Sequence, residues 1–141
     1  MRGLNTALVF AVHLVMLSCA PNVEEEVKDQ WEDGSPKVVY IYNEAGGEKV
    51  QVGERHFFAN GQLRIEGQLK QGRRHGKWTS YYEDGKLWSE GMYHEGLDDG
   101  IRNVWHANGQ KYYEGMFTKG KKTGLWRFYD ESGALVKQEE Y

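Results

Sequence analysis

Proline and cysteine are nearly absent from this sequence, with 2 Pro and 1 Cys among 141 residues. A single cysteine rules out an internal disulfide, and no Cys/His spacing matches a zinc site. Long apolar runs are missing too. The longest, residues 7–17, falls well short of the roughly 20 residues a membrane helix needs. With a mean hydropathy of −0.77, a polytopic membrane protein is excluded. Charge of one sign is also lacking: 18 Lys and Arg against 21 Asp and Glu give a net charge of −3. Nucleic acid is therefore not an expected partner. What the chain does contain is glycine, 18 residues, and aromatics, 13%. That is too aromatic for a disordered chain, and the length allows one modest domain with a thin core.

Arg2 followed by the apolar residues 7–17 reads as a secretory signal peptide over residues 1–18. The sole cysteine, Cys19, follows Met16, Leu17 and Ser18 at the cleavage window. This arrangement resembles the bacterial lipobox, which implies that Cys19 is acylated and opens the mature chain. Ala20 after it implies sorting to the outer membrane. An ordinary signal peptide with an incidental cysteine is the other reading. Residues 19–36 carry Glu24, Glu25, Glu26, Asp29, Glu32 and Asp33 against Lys28 alone, so the lipidated cysteine is expected to lead into an extended acidic tether. The segment resembles the acidic patch of surface-exported lipoproteins, and a plain solvated linker has the same composition.

The remainder is periodic. Gly61, Gly85, Gly109 and Gly133 recur every 24 residues, and so do Gly67, Gly91 and Gly115; Gly72, Gly96 and Gly120; and Gly76, Gly100 and Gly124. Each unit holds two period-two runs, such as residues 77–82 and 86–94, joined by an Asn-Gly or Asp-Gly turn. Opposite turns are expected as five- or six-residue Gly-x-x-x-Gly loops, for example residues 71–76. The fold class is all-β: an antiparallel meander of 24-residue hairpins forming an elongated sheet, either single-layered or curled. Residues 37–54 form a degenerate cap and residues 55–141 the regular repeats.

The pattern Tyr-Tyr-x-(Asn/Asp)-Gly-x-Leu-x-x-Glu-Gly, as in residues 81–91, followed by x-Gly-x-x-x-Gly-x-Trp, as in residues 119–126, resembles the variant MORN repeat. It is most similar to bacterial proteins of the antitoxin-like group. Arg102 interrupts the Trp column and Lys111 the Leu column. The resemblance implies a repeat scaffold.

Catalytic chemistry finds little support. Glu66, Glu90 and Glu114 form a column, but equivalent strands of a meander lie about 10 Å apart, wider than a retaining acid/base pair. They are expected as cross-strand partners of Lys and Arg. His56, His75, His94 and His106 lack metal-site spacing, and Glu95, Asp98 and Asp99 offer at most a weak calcium loop. Loop charge alternates along one edge: Arg73 and Arg74, then Glu95, Asp98 and Asp99, then Lys119, Lys121 and Lys122. This pattern serves either mutual attraction or a partner. Trp78, Tyr82, Trp126 and Phe128 share one parity of the first strands, and Trp88 and Tyr112 match on the second. They either cover a core or form an exposed stripe for a protein or glycan, with Lys121 and Lys122 at its rim. The expectation is a lipid-anchored cell-envelope binding or scaffolding protein of the bacterial outer membrane, without catalysis, metal or cofactor, touching the membrane through its lipid only. The alternative is an antitoxin-like or immunity protein that masks a toxin.

Overall fold

The computed structural model describes residues 23–141, so the signal peptide, Cys19 and Ala20 lie outside the described residues. Those described form one ten-stranded antiparallel sheet in which every strand pairs with its sequence neighbours. The strands are β1 (Val23–Gln30), β2 (Pro36–Ala45), β3 (Glu48–Phe57), β4 (Leu63–Lys70), β5 (Arg73–Tyr81), β6 (Leu87–His94), β7 (Leu97–Trp105), β8 (Lys111–Thr118), β9 (Lys121–Tyr129) and β10 (Leu135–Glu140). The all-β meander is single-layered. All pairing is between adjacent hairpin strands, which suits a chain built from local repeats.

The sheet begins earlier than composition suggests. Residues 23–30, read as part of a tether, form β1 on the flank of β2. Like charges along β1 are offset by partners from further on: Lys49 reaches Glu24 at 2.8 Å, Arg55 reaches Glu25 at 2.7 Å and Lys37 reaches Asp29 at 2.9 Å. Val27 pairs with the buried Val39 beneath them. An edge strand rich in carboxylates also discourages pairing with another chain.

The two rows of turns differ in kind. At the Asn-Gly and Asp-Gly sites the loop has three residues, and only its glycine takes positive φ, 82° at Gly61 and 83° at Gly85. Gly61 N donates to Phe58 O and Phe58 N to Gln62 O, the pattern of a type I turn with a glycine bulge. Asn60 ties successive turns together, its Oδ1 accepting from Gln62 N and its Nδ2 donating to Glu83 O of the next turn at 2.9 Å. Asn108 repeats both bonds.

The opposite row is not made of Gly-x-x-x-Gly loops. It consists of two-residue turns with positive φ at both positions: Gln71 and Gly72, Glu95 and Gly96, Lys119 and Gly120. This is the mirror-type turn whose twist matches that of the strands. The later glycines, Gly76, Gly100 and Gly124, fall inside β5, β7 and β9, where each strand bulges from the one before it. A second bulge recurs at Arg64, Trp88, Tyr112 and Val136, residues that the register skips. Repeated bulges increase the twist at each unit.

Register places Gly67, Trp78, Gly91, Arg102 and Gly115 on one face. Trp78, Val104 and Trp126 are buried on this face, the two indoles laid flat over glycines, whereas Val39 is buried on the other face in register with Arg55 and Glu66. A Cβ on Gly67 would overlap the Trp78 indole, and one on Gly115 the Trp126 indole. Trp78 and Trp126 are 3% and 2% exposed, so these two residues are core and not part of an exposed aromatic stripe.

Gln71, Glu95 and Lys119 sit at φ of 49° to 52°, where a residue with a Cβ costs roughly 1–2 kcal/mol and Asn costs less. Replacing all three with Asn is expected to stabilise the protein by about 0.5 kcal/mol per site, read as a rise in melting temperature. An unchanged or lower melting temperature contradicts the turn assignment.

Candidate functional site

The glycine-seated face is a ladder that runs through Leu69, Trp78, Tyr93, Arg102, Phe117, Trp126 and Tyr141. Trp78 meets Tyr93 edge-on at 6.2 Å, and Trp126 stands edge-on between Phe117 at 5.1 Å and Tyr141 at 5.9 Å. Each indole also donates its Nε1 hydrogen to the carbonyl of the residue after its seat, Gln68 O at 2.9 Å and Met116 O at 3.3 Å. Arg102 takes the indole's place in the middle unit. Its guanidinium lies 5.3 Å from the Tyr93 ring and 5.8 Å from the Phe117 ring. Aromatic neighbours therefore hold an indole by edge-to-face contact and a guanidinium by cation–π attraction.

The residue four positions before each rung changes in step. Arg74 covers Trp78 at 4.0 Å, and Lys122 covers Trp126 at 4.4 Å. Before Arg102 stands Asp98, and the two form an ion pair. At Arg74, Asp98 and Lys122 the alternating loop charge is thus an internal matching of cation to indole and carboxylate to guanidinium. Neighbouring turns do touch as well: Lys119 N lies 3.4 Å from Asp99 Oδ1. Asp98 and Asp99 have separate partners, and among the described residues no group of three His, Cys, Asp or Glu could hold a metal ion. This matching is visible in the sequence once the 24-residue columns are compared for charge, a signal that reading each loop separately misses.

The opposite face is polar along its centre. Lys77 pairs with Glu90, Arg55 lies 3.4 Å from Glu66, and Lys111 lies 2.7 Å from Glu114. Tyr129 donates its hydroxyl to Glu114 at 3.0 Å. The Lys111 bond holds the Glu114 carboxyl below its ordinary value against the effect of burial, and Tyr129 and Arg127 add to it. The glutamate column is an ion-pair row, cross-strand at Glu66 and Glu90, while Glu114 pairs with Lys111 of its own strand and, at 3.5 Å, with Arg127 of β9.

Beside that row lie apolar side chains with no cover. Ile101 is 54% exposed and Met116 47%, and the two are register partners. Leu125 lines a shallow 300 Å³ depression with them, and Met92 is exposed one unit earlier. Of the aromatic candidates, Trp88 and Tyr112 are exposed, whereas Tyr82 and Phe128 are half-buried; Lys121 and Lys122 are exposed. Trp88 and Tyr112 project because each is a bulge residue. Tyr82 is held by its hydroxyl, which donates to Trp105 O at 2.7 Å.

These columns coincide with a known repeat. Residues 74–95 and 122–141 match the MORN repeat variant. Each matched segment holds one rung with its charge-matched partner, Arg74 with Trp78 and Lys122 with Trp126, and a MORN-type repeat array is suited to binding or scaffolding. No curated protein matches the chain. Two solved structures are weakly similar. One is the crystal structure of TarM, at 14% identity and a TM-score of 0.38, covering 70% of this chain and 19% of that one. The other is the crystal structure of the GtfA/B complex bound to UDP and GlcNAc, at 14% identity and a TM-score of 0.34, covering 99% of this chain and 28% of that one.

Charge matching at the middle rung is open to a double-mutant cycle. Asp98→Lys and Arg102→Trp alone are each expected to destabilise. Together they recreate the Lys122 and Trp126 arrangement and should recover about 1–3 kcal/mol of coupling. Additive losses measured by denaturant unfolding would contradict the matching.

Proposed function

We propose that the protein is a non-catalytic binding scaffold held at a bacterial cell envelope by a lipid on Cys19, with a protein partner seated on its open face. One observation carries the binding role: the sheet has a single layer, the rung side chains cover most of one face, and the other leaves Met92, Ile101, Met116 and Leu125 exposed beside an ion-pair row. A contiguous apolar strip rimmed by charge is the anatomy of a protein-binding surface. Support for the anchor comes from the sequence, where the only cysteine stands two residues after an apolar run too short to span a membrane, with the small Ser18 between them. A scaffold role also agrees with the ion-paired state of Glu66, Glu90 and Glu114.

Ile101→Asp and Met116→Asp introduce charge at exposed sites, where stability changes usually stay within about 0.5 kcal/mol. Photo-cross-linking from positions 101 and 116 in intact envelopes is expected to yield a discrete partner band that either Asp variant, placed at the other position, reduces at least tenfold. Equal bands in wild type and variants argue against this surface.

The anchor has its own test. Cys19→Ala is expected to abolish palmitate incorporation and move the protein out of the detergent phase. Unchanged partitioning removes the lipid from the proposal.

A further inference from the structure

The rung face is incomplete at one place, and the 24-residue columns show where. One column runs His56, Ser80, Val104 and Phe128, and its neighbour Ile65, Ser89, Tyr113 and Lys137. Register joins Ser80 to Ser89 and Val104 to Tyr113. In the later unit the layer is full: Val104 is buried, and Tyr113 stacks on Trp126 at 5.6 Å and meets Phe128 at 5.9 Å. Two serines in the earlier unit leave that volume empty. A cavity of about 180 Å³ results, lined by both serines, Trp78, Trp88, Arg74 and Arg102. Ile65, Arg74, Ser80 and Trp88 also line an adjoining depression of about 500 Å³.

The charge in this cavity is unequal to its partners. Arg102 is paired with Asp98. Arg74 has no carboxylate within ion-pair distance among the described residues; its polar contact is the Tyr93 hydroxyl at 3.4 Å, which also accepts from Arg102 at 2.8 Å. Burial raises the Tyr93 phenol, yet the bonds and charge of Arg102 and Arg74 outweigh burial and leave it below its ordinary value. One positive charge is therefore uncompensated beside the serines. A carboxylate balances it with a single negative charge and fits a guanidinium bidentately, whereas a phosphate monoester brings about −1.5 to −2. Trp88, 47% exposed, supplies a flat apolar wall, and two hydroxyls that both donate and accept suit a polyhydroxylated ring.

We infer that this cavity is a subsite for a carboxylated sugar, a uronic-acid residue of a glycan, with its ring against Trp88, its hydroxyls on Ser80 and Ser89, and its carboxylate on Arg74. The subsite lies on the face opposite the Ile101 and Met116 strip, so it stands or falls independently of a protein partner there.

The test is calorimetric titration of the purified repeat-bearing chain with D-glucuronate and a galacturonate trimer, with D-glucose and acetate as comparisons, at low and high salt. Uronates are expected to bind at least tenfold more tightly than glucose or acetate, to shift tryptophan emission, and to weaken as salt rises. Ser80→Val with Ser89→Tyr copies Val104 and Tyr113 of the next unit and fills the cavity. It is expected to keep or raise the melting temperature while lowering uronate affinity at least tenfold. Arg74→Lys copies Lys122 and should retain the preference for uronate over glucose, and Arg74→Gln should abolish it. If the filled variant does not fold, the two Arg74 variants decide. Absent uronate binding, equal affinity for glucose or acetate, undiminished binding by the folded filled variant, or a preference that survives Arg74→Gln overturns the assignment.

Discussion

An aromatic side chain can lie flat on a single-layer sheet only where the strand beneath has no Cβ, and the rest of this structure depends on that requirement. Gly67 and Gly115 provide the space for Trp78 and Trp126, and Gly91 provides it for the Arg102 side chain. A large aromatic covered in this way removes about 150–250 Å² from water. That burial takes the place of the second layer that most sheets need. Removing the side chain is correspondingly expensive, about 3–5 kcal/mol for a buried Trp. The bulges at Gly76, Gly100 and Gly124 belong to the same constraint, since each comes two residues before a rung on the same strand and interrupts the pairing with the strand that carries its seat.

The two faces consequently have different fates. Stacking consumes the apolar capacity of one, and ion pairs run along the other without filling it. Exposed ion pairs contribute little to stability, so the Glu66, Glu90 and Glu114 row chiefly sets register and solubility. What remains open on that face, Ile101 and Met116 above all, has no structural duty in the sheet. On the rung face, packing falls short at the Ser80 and Ser89 pair, and the shortfall coincides with Arg74, a guanidinium that no carboxylate matches among the described residues.

Glycine spacing made the hairpin array legible, because four columns at one interval are the mark of tandem repetition. The two kinds of turn were harder to separate. A Gly-x-x-x-Gly segment looks like a loop, yet only its first glycine turns the chain, paired with Gln71, Glu95 or Lys119 at a φ those residues seldom adopt. The acidic run of β1 read as a tether because its partners Lys49 and Arg55 come from β3, a relation composition does not carry. Trp78 and Trp126 share parity with Tyr82 and Phe128, so period two alone did not rank their burial. Pairing each Trp with the glycine eleven residues before it would have done so. Arg102 looked like a break in the repeat and is a full rung of it.

Charge matching confines what distinguishes one rung from another to five consecutive strand positions, Arg74 to Trp78, Asp98 to Arg102 and Lys122 to Trp126. The flanking rings of Tyr93 and Phe117 accept either an indole or a guanidinium. Units of this kind are interchangeable modules. A crossover at either row of turns transfers a rung together with its partner, so the array can lengthen, shorten or reorder by recombination without separating the two. A breakpoint inside that pentapeptide parts them, which makes it the natural unit of inheritance in such a sheet.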